Sequence, residues 1–201
     1  MAATNPDFFN PYSEPAQWLG QEPSLWEAVV TAVEQWALPA LPRALIRRGW
    51  VNRASLPPAT KDYAIVTILG RERVGTNVKE YAPPKPESRS PLGTITERTL
   101  RIATVEVDFF SDTDAGFQRA DSLVSFVRGT IGASHFRQYG IGSLYCEPVK
   151  EVDYVDGTKM MVRHSVVDMR LSYWSGITAA LQFFDDVKVS GVNPDIVLDK
   201  N

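Results

Sequence analysis

The sequence predicts an α+β protein: a mainly antiparallel, twisted sheet with helices packed on one face and a long protruding loop or arm. Three observations carry this. Between Leu100 and Phe110 the residues alternate with period two, placing Ala103, Val105, Val107 and Phe109 on one face and Ile102, Thr104, Glu106 and Asp108 on the other. Directly afterwards Phe117, Ala120, Val124, Val127 and Ile131 recur at spacings of three and four, with Leu123 beside them, so the helix they form can lie back on the strand's apolar face. Between Gly70 and Thr96 both patterns vanish among Pro83, Pro84, Pro86 and Pro91, a stretch longer than ordinary connections.

Taken in order, residues 1–22 form an N-terminal arm that Pro6, Pro11 and Pro15 keep from becoming a helix. Its aromatics Phe8, Phe9, Tyr12 and Trp18 exceed what a free tail needs, which predicts packing on its own domain or on a neighbouring subunit. Residues 23–191 read as a single domain, with 71–96 as its protruding loop and 192–201 as a C-terminal tail. Ser24 followed by Glu27 is a capping box. It opens a helix that buries Trp26, Val29, Val30, Val33 and Trp36 or Ala37 and stops at Pro39. Ala44 to Trp50 is a short extended segment, Ser55 to Pro58 a turn, and Asp62 to Leu69 a strand apolar enough for a central place in the sheet.

After the Leu100–Phe110 strand, Ser111 to Asp114 offer side-chain oxygens for a helix start, and Asp112 and Asp114 suit the positive end of its dipole. The opposite face of that helix carries Gln118, Arg119, Asp121, Ser122, Ser125 and Arg128. Gly132 to Gly140 predicts one short helical turn. Ile141–Val149 and Lys159–Trp174 predict an antiparallel hairpin across Asp156-Gly157, with a bulge near His164, and a last strand runs from about Ala180 to Val189.

With 44% hydrophobic and 22% charged residues among 201, the chain has the composition of a folded protein. No apolar run approaches the roughly 20 residues that span a bilayer, and a start bearing Asn5-Pro6-Asp7 is not that of a signal peptide, so the expectation is a cytosolic chain without membrane contact. A net charge of −3 gives no overall pull towards nucleic acid. Locally the balance reverses: from Glu34 to Asp62 there is no acid, yet Arg43, Arg47, Arg48, Arg53 and Lys61 fall there, either as a solvated edge or as a docking patch for an acidic partner.

Chemistry-bearing patterns are sparse. Cys146 sits inside a predicted strand, where a small buried thiol is the ordinary occupant. His135 and His164 have no sequence-local ligand partner. Glu106, Asp108, Asp112 and Asp114 divide between a strand face and a helix cap, and Gly70, Gly75 and Gly93 form no phosphate cradle. No catalytic residue, cofactor or metal is assigned. The enzymatic alternative is a small metal-dependent hydrolase using Glu106, Asp108 and His164.

One ordered set of segments points further. A tryptophan-bearing helix leads to a basic segment ending Trp50-Val-Asn-Arg-Ala-Ser-Leu-Pro-Pro58, then the strand Tyr63 to Leu69. After the proline-rich loop comes Val105-Glu-Val-Asp-Phe-Phe-Ser-Asp-Thr-Asp-Ala-Gly116 entering a helix, then a Gly140-Ile-Gly142 turn. Over roughly residues 22–190 this order resembles the tail terminator, or neck terminator, proteins of tailed bacteriophages. The resemblance implies a structural virion protein and not an enzyme. It implies a homohexameric ring that caps the tail tube, ends its polymerisation and offers the attachment surface for neck and head-completion proteins. DNA passes through the lumen without specific binding, and in a contractile tail the ring also touches the sheath. The implied location is the neck–tail junction of the virion, and the host cytoplasm during assembly. Another neck adaptor or a tail tube subunit is the nearest alternative.

For interface residues the expectation is that Arg43, Arg47, Arg48 and Arg53 dock on an acidic neighbour. Lys79, Lys85 and Arg89 of the loop reach an adjacent subunit or the tube, and Arg119 and Arg128 lie on an outward helix face.

Overall fold

The structure, a computed structural model, describes residues 24–49, 62–83, 93–155 and 161–181. Along the chain these form α1 (Leu25–Trp36), β1 (Ile46–Arg48), β2 (Tyr63–Ala82), β3 (Gly93–Ser111), α2 (Ala115–Arg128), α3 (Thr130–Gln138), β4 (Ile141–Cys146), β5 (Lys150–Glu151), β6 (Tyr154–Val155) and β7 (Met161–Leu181). The strand order is β1-β2-β3-β7-β4, with β5 and β6 also pairing with β7. Among the described residues only the β1–β2 pair is parallel. The expected α+β fold is the observed one.

β3 is the spine, paired antiparallel with β2 on one side and β7 on the other. Its alternation behaves as the sequence requires. Ala103, Val105, Val107 and Phe109 are at most 1% exposed and meet Ala120, Leu123, Val124 and Val127 of α2 and Val29, Val30 and Val33 of α1 in one core. Each of the larger apolar side chains contributes about 2 kcal/mol by leaving water.

α1 begins where Ser24 Oγ accepts the Glu27 N–H at 3.2 Å. The Glu27 carboxylate does not close a capping box; it turns to Arg43 instead. α3 ends at Gly140, whose φ of +71° is the left-handed conformation glycine tolerates best. Gly132 has no room for a larger residue: a Cβ there would lie 2.2 Å from the Phe126 carbonyl oxygen.

Several expectations are corrected. The region 71–96 protrudes as expected but is strand over most of its described length, because β2 continues to Ala82 and β3 starts at Gly93, paired antiparallel with both β2 and β7. Three strands of about twenty residues span some 65 Å at about 3.3 Å per residue, whereas the 14 residues of α2 cover only about 21 Å. The sheet therefore runs well past its helices.

The second helix breaks at Gly129, so Ile131 belongs to α3 and is 58% exposed. Phe117 is also exposed, at 41%, while Phe126 and Arg119 are buried. Asp114 is the N-cap residue of α2, but its side chain makes no cap hydrogen bond. Ser111 Oγ accepts from Thr113 N and Thr113 Oγ1 from Ala115 N, while Asp114 pairs with Arg163. The segment expected to hold one helical turn is the nine-residue α3.

The β3–β7 register is unbroken through His164. The irregularity lies instead in β4, between Ser143 and Tyr145. β3, rather than β2, holds the middle place, and Ala180 is part of β7. The Ser55–Pro58 turn, Asp156-Gly157, the N-terminal arm and the C-terminal tail lie outside the described residues.

Arg119, expected on the outward face, is 6% exposed and ties three segments together. Its Nε donates to the Pro39 carbonyl at 2.7 Å and its Nη1 meets Asp62 Oδ2 at 2.7 Å, while Asp62 Oδ1 also accepts from Ser111 Oγ. Removing one member of such a buried pair strands the other. Arg119→Ala is expected to lower the unfolding free energy by about 3 kcal/mol in a urea titration. A loss under about 0.5 kcal/mol, the size expected of a surface pair, contradicts this.

Candidate functional site

Where the sheet outruns the helices, residues 70–82 of β2, 93–100 of β3 and 174–181 of β7 form a three-stranded arm. Among the described residues no layer covers either of its faces. Polar ladders hold it together. Asn77 donates to Glu97 Oε2 at 2.9 Å and accepts from Arg73 at 2.8 Å and from Thr99 at 2.5 Å. These contacts brace a bulge between Val74 and Val78, where Gly75 has φ +71°. The Asn77 amide and the Lys79 ammonium hold the Glu97 carboxyl below its ordinary value. Across the arm Thr96 meets Thr178, Arg101 meets Ser175 and Arg98 meets Glu80. Yet Val74, Val78, Tyr81, Trp174 and Ile177 remain 38–58% exposed. An exposed apolar surface of this kind marks an interaction site.

The basic corner is smaller than the sequence implied. Arg43 donates to both Glu27 oxygens at 2.7 and 2.6 Å and lies 3.6 Å from Glu34. The Glu27 hydrogen bonds are the main reason its guanidinium titrates above the ordinary value. Arg48 stacks over Trp26 at 5.0 Å, and Arg47 is exposed on β1. Arg53, Lys85 and Arg89 lie outside the described residues. Arg128, on the other side of the helix layer, donates to the Cys146 carbonyl through Nε and Nη2 and lies 5.9 Å from the Tyr145 ring.

A groove that sequence reasoning missed opens between the end of α1, α2 and the start of α3. Its volume is about 460 Å³, and its apolar walls are Trp36, Leu38, Phe126 and Ile131. Trp36 stacks on Phe126 at 4.9 Å, and Ser122 donates to the Leu38 carbonyl. Leu38 is 54% exposed.

A family model described as phage neck terminator protein matches residues 25–195. The chain belongs to the phage neck terminator family. No curated protein matches the chain. The family is a structural one of the virion's neck and tail, and its members associate with other tail or head proteins.

In this neck terminator the residues of the enzymatic alternative lie on the sheet face away from the helices. His164 Nε2 and Asp108 Oδ1 are 2.8 Å apart, His164 stacks on Phe110 at 4.4 Å, and Phe110 stacks on Tyr63. Among the described residues no three His, Cys, Asp or Glu side chains are placed to hold a metal ion. His135 Nε2 bonds the Ala28 carbonyl at 2.9 Å amid Phe126, Phe136 and Tyr139, which joins α3 to α1. Burial pushes the Cys146 thiol up to about 12, so it is protonated and unreactive near neutral pH.

Glu106 stands directly across from Asp168, whose Oδ1 is buried and has no hydrogen-bond partner among the described residues while its Oδ2 takes the Lys150 ammonium at 2.8 Å. Burial, then the Asp108 and Asp168 charges, raise the Glu106 carboxyl above its ordinary value. A raised carboxylate favours the folded state below the unfolded pKa, and that advantage disappears as pH rises through the folded pKa. Glu106→Gln is therefore expected to gain stability relative to the native chain as pH climbs from the acid range to neutrality, read as the difference in Tm across a pH series. A native chain that gains on the variant over that rise contradicts the assignment.

Proposed function

We propose that this chain is the tail terminator itself. It forms a homohexameric ring, caps the tail tube, ends its polymerisation and presents the surface to which neck and head-completion proteins attach. The observation that carries this reading is the three-stranded arm with two uncovered faces, in a chain of the neck terminator family. A closed ring is built from head-to-tail contacts between different patches of one subunit, and an arm projecting from a packed core supplies such a patch. Arg47, with the outer side of Arg48, docks on an acidic surface of the tube or of a neighbour, and the loop that bears Lys85 and Arg89 reaches an adjacent subunit or the tube. DNA passes through the lumen without tight binding, which a subunit of net charge −3 favours.

The direct test adds the purified chain to tube subunits polymerising in solution. Elongation is expected to stop at substoichiometric amounts. Replacing Arg47 and Arg48 by Glu weakens this capping at least tenfold, and deleting residues 77–92 weakens it while sparing the melt of the core. Tubes that lengthen at the same rate with and without the native chain overturn the reading. Full capping by the Arg47/Arg48 variant removes the basic corner from it.

A further inference from the structure

We infer that Trp174 of one copy seats in the helix-layer groove of the next copy, with Arg98 facing Asp121 across the contact. This deepens the ring proposed above and rests on it.

The register places Val74, Leu100 and Trp174 in one row across the arm, on the sheet face away from the helices. Trp174 is 52% exposed. Beside it, Arg98 stands opposite Gly176, which has no side chain. A hollow of about 230 Å³ lined by Thr96, Arg98, Ser175 and Gly176 leaves the indole projecting from the sheet. Tryptophan in such a position is the side chain most often found anchoring a protein interface.

The groove of Trp36, Leu38, Phe126 and Ile131 is the matching concavity. It opens on the helix layer, and Trp174 stands on the opposite face of the sheet, so the two cannot meet within one molecule. Two different apolar patches on opposite faces of one chain, each seated against the other on a neighbouring copy, make a head-to-tail contact, the kind that closes into rings.

Charge selects the same pairing. Among the described residues Asp121 is the one charged residue lining the groove, and Arg98 the one lining the hollow beside Trp174. Arg98 is held to Glu80 at 3.2 Å, but both side chains are half exposed, and an exposed pair opens at little cost.

The experiment measures assembly by sedimentation at matched concentrations for the native chain, Trp174→Ala, Arg98→Asp, Asp121→Arg and the double charge swap, with circular dichroism melts confirming each fold. The native chain is expected to form the ring. Trp174→Ala needs at least tenfold more protein to do so, each single charge reversal also weakens assembly, and the double swap restores it. A native ring that every variant matches overturns the contact and leaves the ring reading standing. A double swap no better than the single reversals overturns the placement of Trp174 in this groove. A native chain that stays monomeric at every concentration removes ring and contact together.

Discussion

The constraint on which the structure turns is a mismatch of lengths. β2, β3 and β7 run together for about twenty residues, and the helices cover only one end. At the covered end, apolar burial against α1 and α2 provides the stability. Beyond it the backbone pairing of β3 with β2 and β7 continues, broken by the bulge between Val74 and Val78, but the side chains face water on both sides. Cross-strand pairs such as Lys79 with Glu97 and Thr96 with Thr178 keep the arm in register. They do nothing for Trp174, Tyr81 or Val78. Among the described residues nothing covers them.

The same economy governs the charges. Most of the arginines that look available in the sequence are engaged inside the chain. Arg43 serves Glu27 and Glu34, Arg119 clamps Asp62 to the Pro39 turn, and Arg128 holds the carbonyl of Cys146. Among those described, Arg47 and the outer side of Arg48 keep the character of a docking patch. The His164–Asp108 pair, wedged by Phe110 over Tyr63, likewise serves the sheet face it stands on. Polar groups engaged within the chain beside open apolar surfaces accord with a structural family of the virion's neck and tail.

What the sequence disclosed follows from what each element buries. Ala103 to Phe109 and Ser24 to Val33 were legible because one face of each is dry, and dryness writes a period. The arm was expected to protrude, but its strands were not legible, because Arg71, Glu72, Arg73, Lys79 and Glu80 occupy both parities of a strand wet on both faces. The third strand of the arm, in β7, lies far along the chain. Arg119 read as a surface residue because its partner Asp62 is distant in sequence. The groove stayed hidden because three- and four-residue spacing does not reveal that the helix breaks at Gly129, which turns Ile131 outward.

The central claim is that the arm is open in a single chain and covered by assembly. Hydrogen exchange of the native chain across a dilution series tests it most directly. The account predicts that amides of residues 70–82 and 174–181 exchange more slowly as concentration rises, while those of β3 from Ala103 to Phe109 do not change. Identical exchange in the arm at every concentration, in a sample whose mass shows that it has assembled, would contradict it.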